Sequence, residues 1–219
     1  KIIVSLVLIL VFLEVLPGVN ELLVTHAQGN NTGYVKCTLV LYNDTVLPGN
    51  VKLVENDIGP NQIIYDPSNG YLYVTDSISG TVSVINPSTN KVIATINVGK
   101  SPFGITYDRA NGYLYVTSTS SDSVLVINPS TNKVICKIKV GKSPTGITYD
   151  PTNGYIYVTN YPCCNISVIN PSTNKVIATI NVGEKASPYI TYDPSNGYLY
   201  VTNVACNNVL VLSLIHISE

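Results

Sequence analysis

Between Tyr65 and Asn90 the chain reads YDPSNGYLYVTDSISGTVSVINPSTN, and nearly the same string returns at Tyr107, at Tyr149 and, shortened, at Tyr192. The steps between these starts are 42, 42 and 43 residues, a period in the range of one propeller blade. A chain repeating at this spacing is restricted to folds in which equivalent units lean on one another, because no unit of this size buries its apolar surface alone.

Within each copy the apolar pattern has period two. In YLYVT (71 to 75) Tyr71 and Tyr73 share one face and Leu72 and Val74 the other, as a strand covered on both sides requires. The punctuation divides a copy into four strands. DPSNG, DRANG, DPTNG and DPSNG close the first hairpin, with Asp opening the turn and Gly supplying its positive φ. Pro-Ser-Thr-Asn closes the second, and its last residue, Asn132 in the second copy, tolerates the left-handed conformation. Two meandering hairpins make an antiparallel four-stranded sheet with two apolar faces, so successive sheets must stack about an axis. The fold expected is all-β, a partial β-propeller with about four blades visible of a larger ring.

YLYVTD, YLYVTS, YIYVTN and YLYVTN, together with both turn sequences and the VGKSP connector, resemble the YVTN β-propeller repeat of archaeal surface-layer proteins and related secreted microbial proteins. The resemblance covers residues 58 to about 211. It implies a propeller, commonly seven-bladed, at a cell surface, and it implies no particular chemistry.

The ends of the chain read differently. Ile2 to Phe12 (IIVSLVLILVF) is uncharged and shorter than the roughly 20 residues a spanning helix needs, so residues 1–27 are expected to be a signal peptide, with Thr25-His26-Ala27 marking a cut before Gln28, or an N-terminal anchor. Residues 28–57 form an N-terminal segment in which CTLVLYN and NVKLVEN read as the third and fourth strands of an earlier copy. The propeller repeats fill 58–211. LSLIHISE (212–219) breaks the repeat and resembles translated sequencing adapter, a non-native tail. On this reading the chain is exported, and Asn30, Asn43 and Asn165, each in an N-x-S/T triplet, become glycosylation candidates.

Charge excludes some partners. Only 11% of residues are charged and the formal net charge is −1, so no basic stripe for nucleic acid exists. A membrane would be met only through an uncleaved N-terminal anchor. His26 and His216 fall in the leader and the tail on this reading, which removes imidazole from triads, zinc sites and acid-base chemistry in between. Asp66, Asp108, Asp150 and Asp193 recur once per copy; a ring of acids could bind calcium, but each opens a turn and is expected to bond local amides. The tyrosine stripes could stack sugars, and packing between blades accounts for them more simply. No metal, cofactor or catalytic residue is expected.

Five cysteines remain. Cys136 replaces Ala94 and Ala178 and reads as a small buried residue. Cys163 and Cys206 occupy equivalent loop positions in successive copies, and a disulfide between them would staple two blades, although packed sheets lie ~10 Å apart and a disulfide needs Cα atoms within about 7 Å.

The turns barely vary between copies, whereas the loops between strands two and three read DSISG, STSSD and NYPCCN, and the connectors read KSPFG, KSPTG and EKASPY. In a meander both variable kinds of segment emerge on one rim, where a binding surface would lie. The function expected is therefore a non-catalytic cell-surface or secreted module that displays or binds protein or glycan through Asp76, Ser77, Ile78, Phe103, Ser118, Thr119, Asp122, Asn160, Tyr161, Cys163 and Tyr189. The competing expectation is a lactonase- or lyase-like propeller enzyme whose catalytic residues lie in a missing part of the chain.

Overall fold

A computed structural model of the chain describes residues 21–29, 35–42, 59–161, 163–183, 189–203 and 207–214. It contains two compact units, Lys1–Leu53 and Val54–Glu219.

In the first unit, β1 (Glu21–Gly29) and β2 (Val35–Tyr42) form an antiparallel pair. Strand β2 takes in Cys37–Tyr42, most of CTLVLYN, and Gln28 lies within β1. The stretch NVKLVEN, the apolar run from Ile2 to Phe12, Asn30 and Asn43 lie outside the described residues.

Among the described residues, the second unit holds three four-stranded sheets and one of three strands. The first sheet comprises β3 (Pro60–Asp66), β4 (Tyr71–Asp76), β5 (Thr81–Asn86) and β6 (Lys91–Asn97). The second comprises β7 (Pro102–Asp108), β8 (Tyr113–Ser118), β9 (Ser123–Asn128) and β10 (Lys133–Lys139). The third comprises β11 (Pro144–Asp150), β12 (Tyr155–Asn160), β13 (Asn165–Asn170) and β14 (Lys175–Asn181). The shortened copy gives β15 (Ile190–Asp193), β16 (Tyr198–Asn203) and β17 (Asn208–Ser213). All neighbours within a sheet are antiparallel and sequential, so each sheet is a meander. Strand β17 runs two residues into the stretch read as a tail, through Leu212 and Ser213.

The alternation along β8 shows how one sheet serves two interfaces. Leu114 and Val116 join a buried cluster with Tyr73, Val82 and Val84 of the preceding sheet. Tyr115, one residue out of phase, packs with Ile147, Ile156 and Val158 of the following one. Apolar burial of this kind contributes roughly 1.5–3 kcal/mol per large side chain and is the main term holding the sheets together. At the last sheet the repetition ends: Val209 and Val211 are 56% and 54% exposed, whereas their equivalents Val124 and Val126 are fully buried.

The fold is an all-β partial propeller, and the invariant letters of the repeat have specific duties in it. The first turn of each copy is closed by Asp Oδ1, which accepts from the backbone N–H two residues on: Ser68, Ala110, Thr152 and Ser195, at 2.7–2.8 Å. Gly70, Gly112, Gly154 and Gly197 then sit at φ near +75°, a conformation that glycine adopts without strain. The turn Asn reaches back to the second tyrosine of strand two: Asn69 Nδ2 donates to the hydroxyl of buried Tyr73 at 2.9 Å, Asn111 and Asn153 do the same for buried Tyr115 and Tyr157, and Asn196 for the half-buried Tyr200. A phenol otherwise orphaned inside the stack is thereby satisfied.

Candidate functional site

The loop end of the sheets carries the variable segments, and backbone bonds hold it together. Ser77 N–H donates to the Gly59 carbonyl (2.7 Å), Thr119 N–H to Ser101 (3.1 Å) and Tyr161 N–H to Ser143 (3.2 Å), which ties each loop to the connector before it. Val98, Val140 and Val182 donate to Gly80, Asp122 and Cys164, tying each loop to the connector after it. Loops and connectors therefore share one rim, as the meander requires.

The expected contact residues of the strand-two loops divide into three groups by burial. Asp76, Ser118 and Asn160 end strand two and are buried. Asp76 Oδ2 accepts from the Ser83 hydroxyl at 2.8 Å, and Asn160 Nδ2 donates to the Ser167 hydroxyl at 2.9 Å and to Asn165 Oδ1 at 2.8 Å. These three are internal braces and present no contact surface, because the alternation from Leu72 through Val74 carries Asp76 onto a covered face. The same bonds commit the Asn165 side chain to the sheet. Ser77 and Thr119 are half-buried, with hydroxyls donating to the Gly59 and Ser101 carbonyls. Ile78, Tyr161 and Cys163 do face outward, Ile78 at 70% exposure.

Asp122 is the most constrained rim residue. It sits in the left-handed region at φ 49°, ending a single 3-10 turn over Thr119–Ser121. Its Oδ1 accepts from Ser143 N–H at 2.9 Å, and its Oδ2 pairs with Lys139 Nζ at 3.3 Å. The amide of Ser143, and secondarily the lysine, hold its carboxyl below the usual range.

Nearest the axis, the first strands of successive sheets approach closely. Thr117 Oγ1 accepts from Gly104 N–H in its own sheet and donates to the Thr145 carbonyl of the next, both at 2.7 Å. Thr75 repeats the arrangement, donating to the Phe103 carbonyl at 2.7 Å. Thr75 and Thr117, each the Thr of a YVT motif, are thus hydrogen-bonded pins between blades. A Cβ at Gly104 would collide with the Thr145 carbonyl and crowd the Thr117 hydroxyl, so glycine suits the close approach there, whereas the first copy makes its pin with Gln62 at the equivalent position. In the last copy Tyr189 takes the position of Gly104 and Gly146. Its ring lies 6.2 Å from that of Phe103, tilted by 40°, so these two expected contact residues, from the second and fourth copies, meet each other.

At the opposite end the acids behave as turn formers. Asp66, Asp108 and Asp150 are buried. The Tyr149 hydroxyl donates to Asp108 of the preceding sheet; burial first, then the Asp108 charge and the bond to it, push its pKa up to about 12. Among the described residues no group of three or more His, Cys, Asp or Glu stands together as a metal site. Cys136 is half-buried and Cys163 exposed, while Cys206, the other half of the expected disulfide, lies outside the described residues.

Sheets of this kind, stacked through alternating faces and pinned near the axis, define a β-propeller. The sequence model of the Arylesterase family matches residues 88–176, from the second turn of the first sheet to the start of β14. Among solved structures, Kuenenia stuttgartiensis Hydrazine Synthase is similar at 21% identity and a TM-score of 0.61, over 77% of this chain and 53% of that one. The chain thus spans about half the length of that solved chain, and the likeness is one of fold. No curated protein matches. The Arylesterase match corrects the expectation of a module that is no enzyme: it points to a hydrolytic enzyme family, and it favours the competing expectation of a propeller enzyme.

Proposed function

We propose that this chain is part of an ester-hydrolysing β-propeller, with the described sheets forming the rigid wall on which the reactive groups are mounted. The observation that carries the reading is the Arylesterase match across the second and third sheets. Propellers mount function on loops at one rim of a rigid stack, and the rim built by the connectors and strand-two loops is the end where sequence varies. Phe103 and Tyr189 would give that end an apolar surface against which the non-polar part of an ester rests.

The YVTN-type relationship and an exported location belong to this proposal, supported by the repeat motifs and the apolar Ile2–Phe12 run. Contact with a surface protein or glycan through Ile78 and Tyr161 is a second activity for the same rim, favoured by the exposure of both side chains. The test is hydrolysis of a phenyl ester by the protein expressed from its complete reading frame. Turnover well above the buffer rate is expected, and a folded protein that gives only the buffer rate would overturn the proposal.

A further inference from the structure

The loop between strands two and three ends, in each of the four sheets, on a residue with left-handed backbone. Gly80 sits at φ 75°, Asp122 at 49°, Cys164 at 53° and Asn207 at 52°. Glycine, aspartate and asparagine are residue types that tolerate this region, and cysteine is not among them. The third copy therefore holds a thiol where turn geometry alone selects against one, and it sets a second thiol, Cys163, directly before it. Both are in the thiol form, Cys163 exposed and Cys164 half-buried. The backbone keeps Cys164 in place: its N–H donates to the Asn160 carbonyl at 3.1 Å, and its own carbonyl accepts from Val182 N–H at 3.0 Å. The pair thus stands on the rim, fastened to the end of strand two and to the connector that follows β14.

We propose that Cys163 and Cys164 are a reversible redox site, closing to a disulfide between adjacent residues on reaction with a small-molecule disulfide. Ester hydrolysis plays no part in it. Cys163 attacks first because solvent reaches it, and access governs which thiol reacts. Its thiolate bonds to one sulfur of the small disulfide, whose S–S bond breaks and releases a first small thiolate. The Cys164 thiolate then bonds to the Cys163 sulfur, and the second small thiolate leaves. The two protein thiols give up two electrons and two protons, and the small disulfide takes up both to become two thiols. The ring that results is tight, since consecutive Cα atoms stand ~3.8 Å apart and an ordinary disulfide joins Cα atoms about 4.4–6.8 Å apart. Strain of this kind makes the bond easy to reduce, which suits a site that opens and closes. A Cys163–Cys206 bond would instead need two loops to approach, whereas chain adjacency alone brings Cys163 and Cys164 together.

The experiment equilibrates the full chain with oxidised and reduced glutathione, blocks the thiols that remain and digests with trypsin. Lys142 and Lys175 bound a peptide, 143–175, that carries Cys163 and Cys164 and no other cysteine, so its mass separates the outcomes. Ring closure should leave this peptide unblocked, joined to nothing and about 2 Da lighter than its dithiol form, and dithiothreitol should restore the dithiol. Cys164→Asn installs the residue found as Asn207 in the next copy and so suits the left-handed turn; there the reaction should stop with one glutathione on Cys163. Cys206→Ser should close the ring as the parent does. A parent peptide 143–175 that keeps both thiols, stays joined to glutathione, or is joined to the peptide carrying Cys206 would overturn the site.

Discussion

Backbone bonds close both ends of each blade, as from Gly70 N–H to the Asp66 carbonyl at the turn end, but the two ends differ in the side-chain bonds added to them. At the turn end side chains add to the closure: Asp66, Asp108, Asp150 and Asp193 bond turn amides, and Asn69, Asn111, Asn153 and Asn196 bond the second tyrosine of strand two. At the rim the recurrent ties run from backbone N–H to backbone carbonyl, as from Val98 to Gly80 and from Val140 to Asp122. A backbone bond asks little of the side chain on either residue, whereas a side-chain bond fixes its identity. The turn end is therefore nearly identical from copy to copy while the rim varies, and that freedom is what a binding or catalytic surface needs.

The largest consequence concerns alkaline pH. Burial raises the pKa of Tyr73, and lifts Tyr115 and Tyr157 from 10.0 to about 12, against the smaller lowering effect of the asparagine bonds. A raised folded-state pKa means that the neutral phenol is favoured by folding. Its contribution is complete below pH 10 and is lost as pH rises through about 12. Tyrosinate absorbance followed with circular dichroism should show these phenols ionising together with cooperative unfolding in that window. Ionisation near pH 10 with the sheets intact would place the tyrosines in water.

Tyr115→Ala comes next, because it empties a fully buried site between the second and third blades and frees Asn111 at the turn. A loss of ~3–5 kcal/mol in urea unfolding is expected. Thr117→Val keeps the shape but leaves the Gly104 amide and the Thr145 carbonyl without their pin, for a loss of ~1–3 kcal/mol. A neutral result there would show that the axial bonds do not couple neighbouring blades.

Much of this architecture was legible in the sequence because it is local. Period-two alternation located the strands, and Asp, Gly and Asn in register located both turns. The Thr117 pin was hidden, since its acceptor, Thr145, lies 28 residues away in the next blade and Thr reads as an ordinary strand residue. The Phe103–Tyr189 pair was hidden for the same reason across two copies. Asp76, Ser118 and Asn160 were misplaced on the contact surface by counting them as loop. The alternation carried one residue further, with Ser83 and Ser167 across the ladder, would have turned Asp76 and Asn160 inward. The expectation of a non-catalytic module came from weighing which reactive side chains the repeats contain.

The most direct test of the contrast between the two ends replaces Thr119–Asp122 by SISG, the segment that residues 77–80 supply in the first blade. If the rim is held by its backbone, Val140 N–H stays protected in hydrogen exchange and stability changes by no more than ~0.5 kcal/mol. Exchange of that amide at the rate of an unfolded chain, or a loss as large as that of Thr117→Val, would mean that rim side chains carry the structure after all.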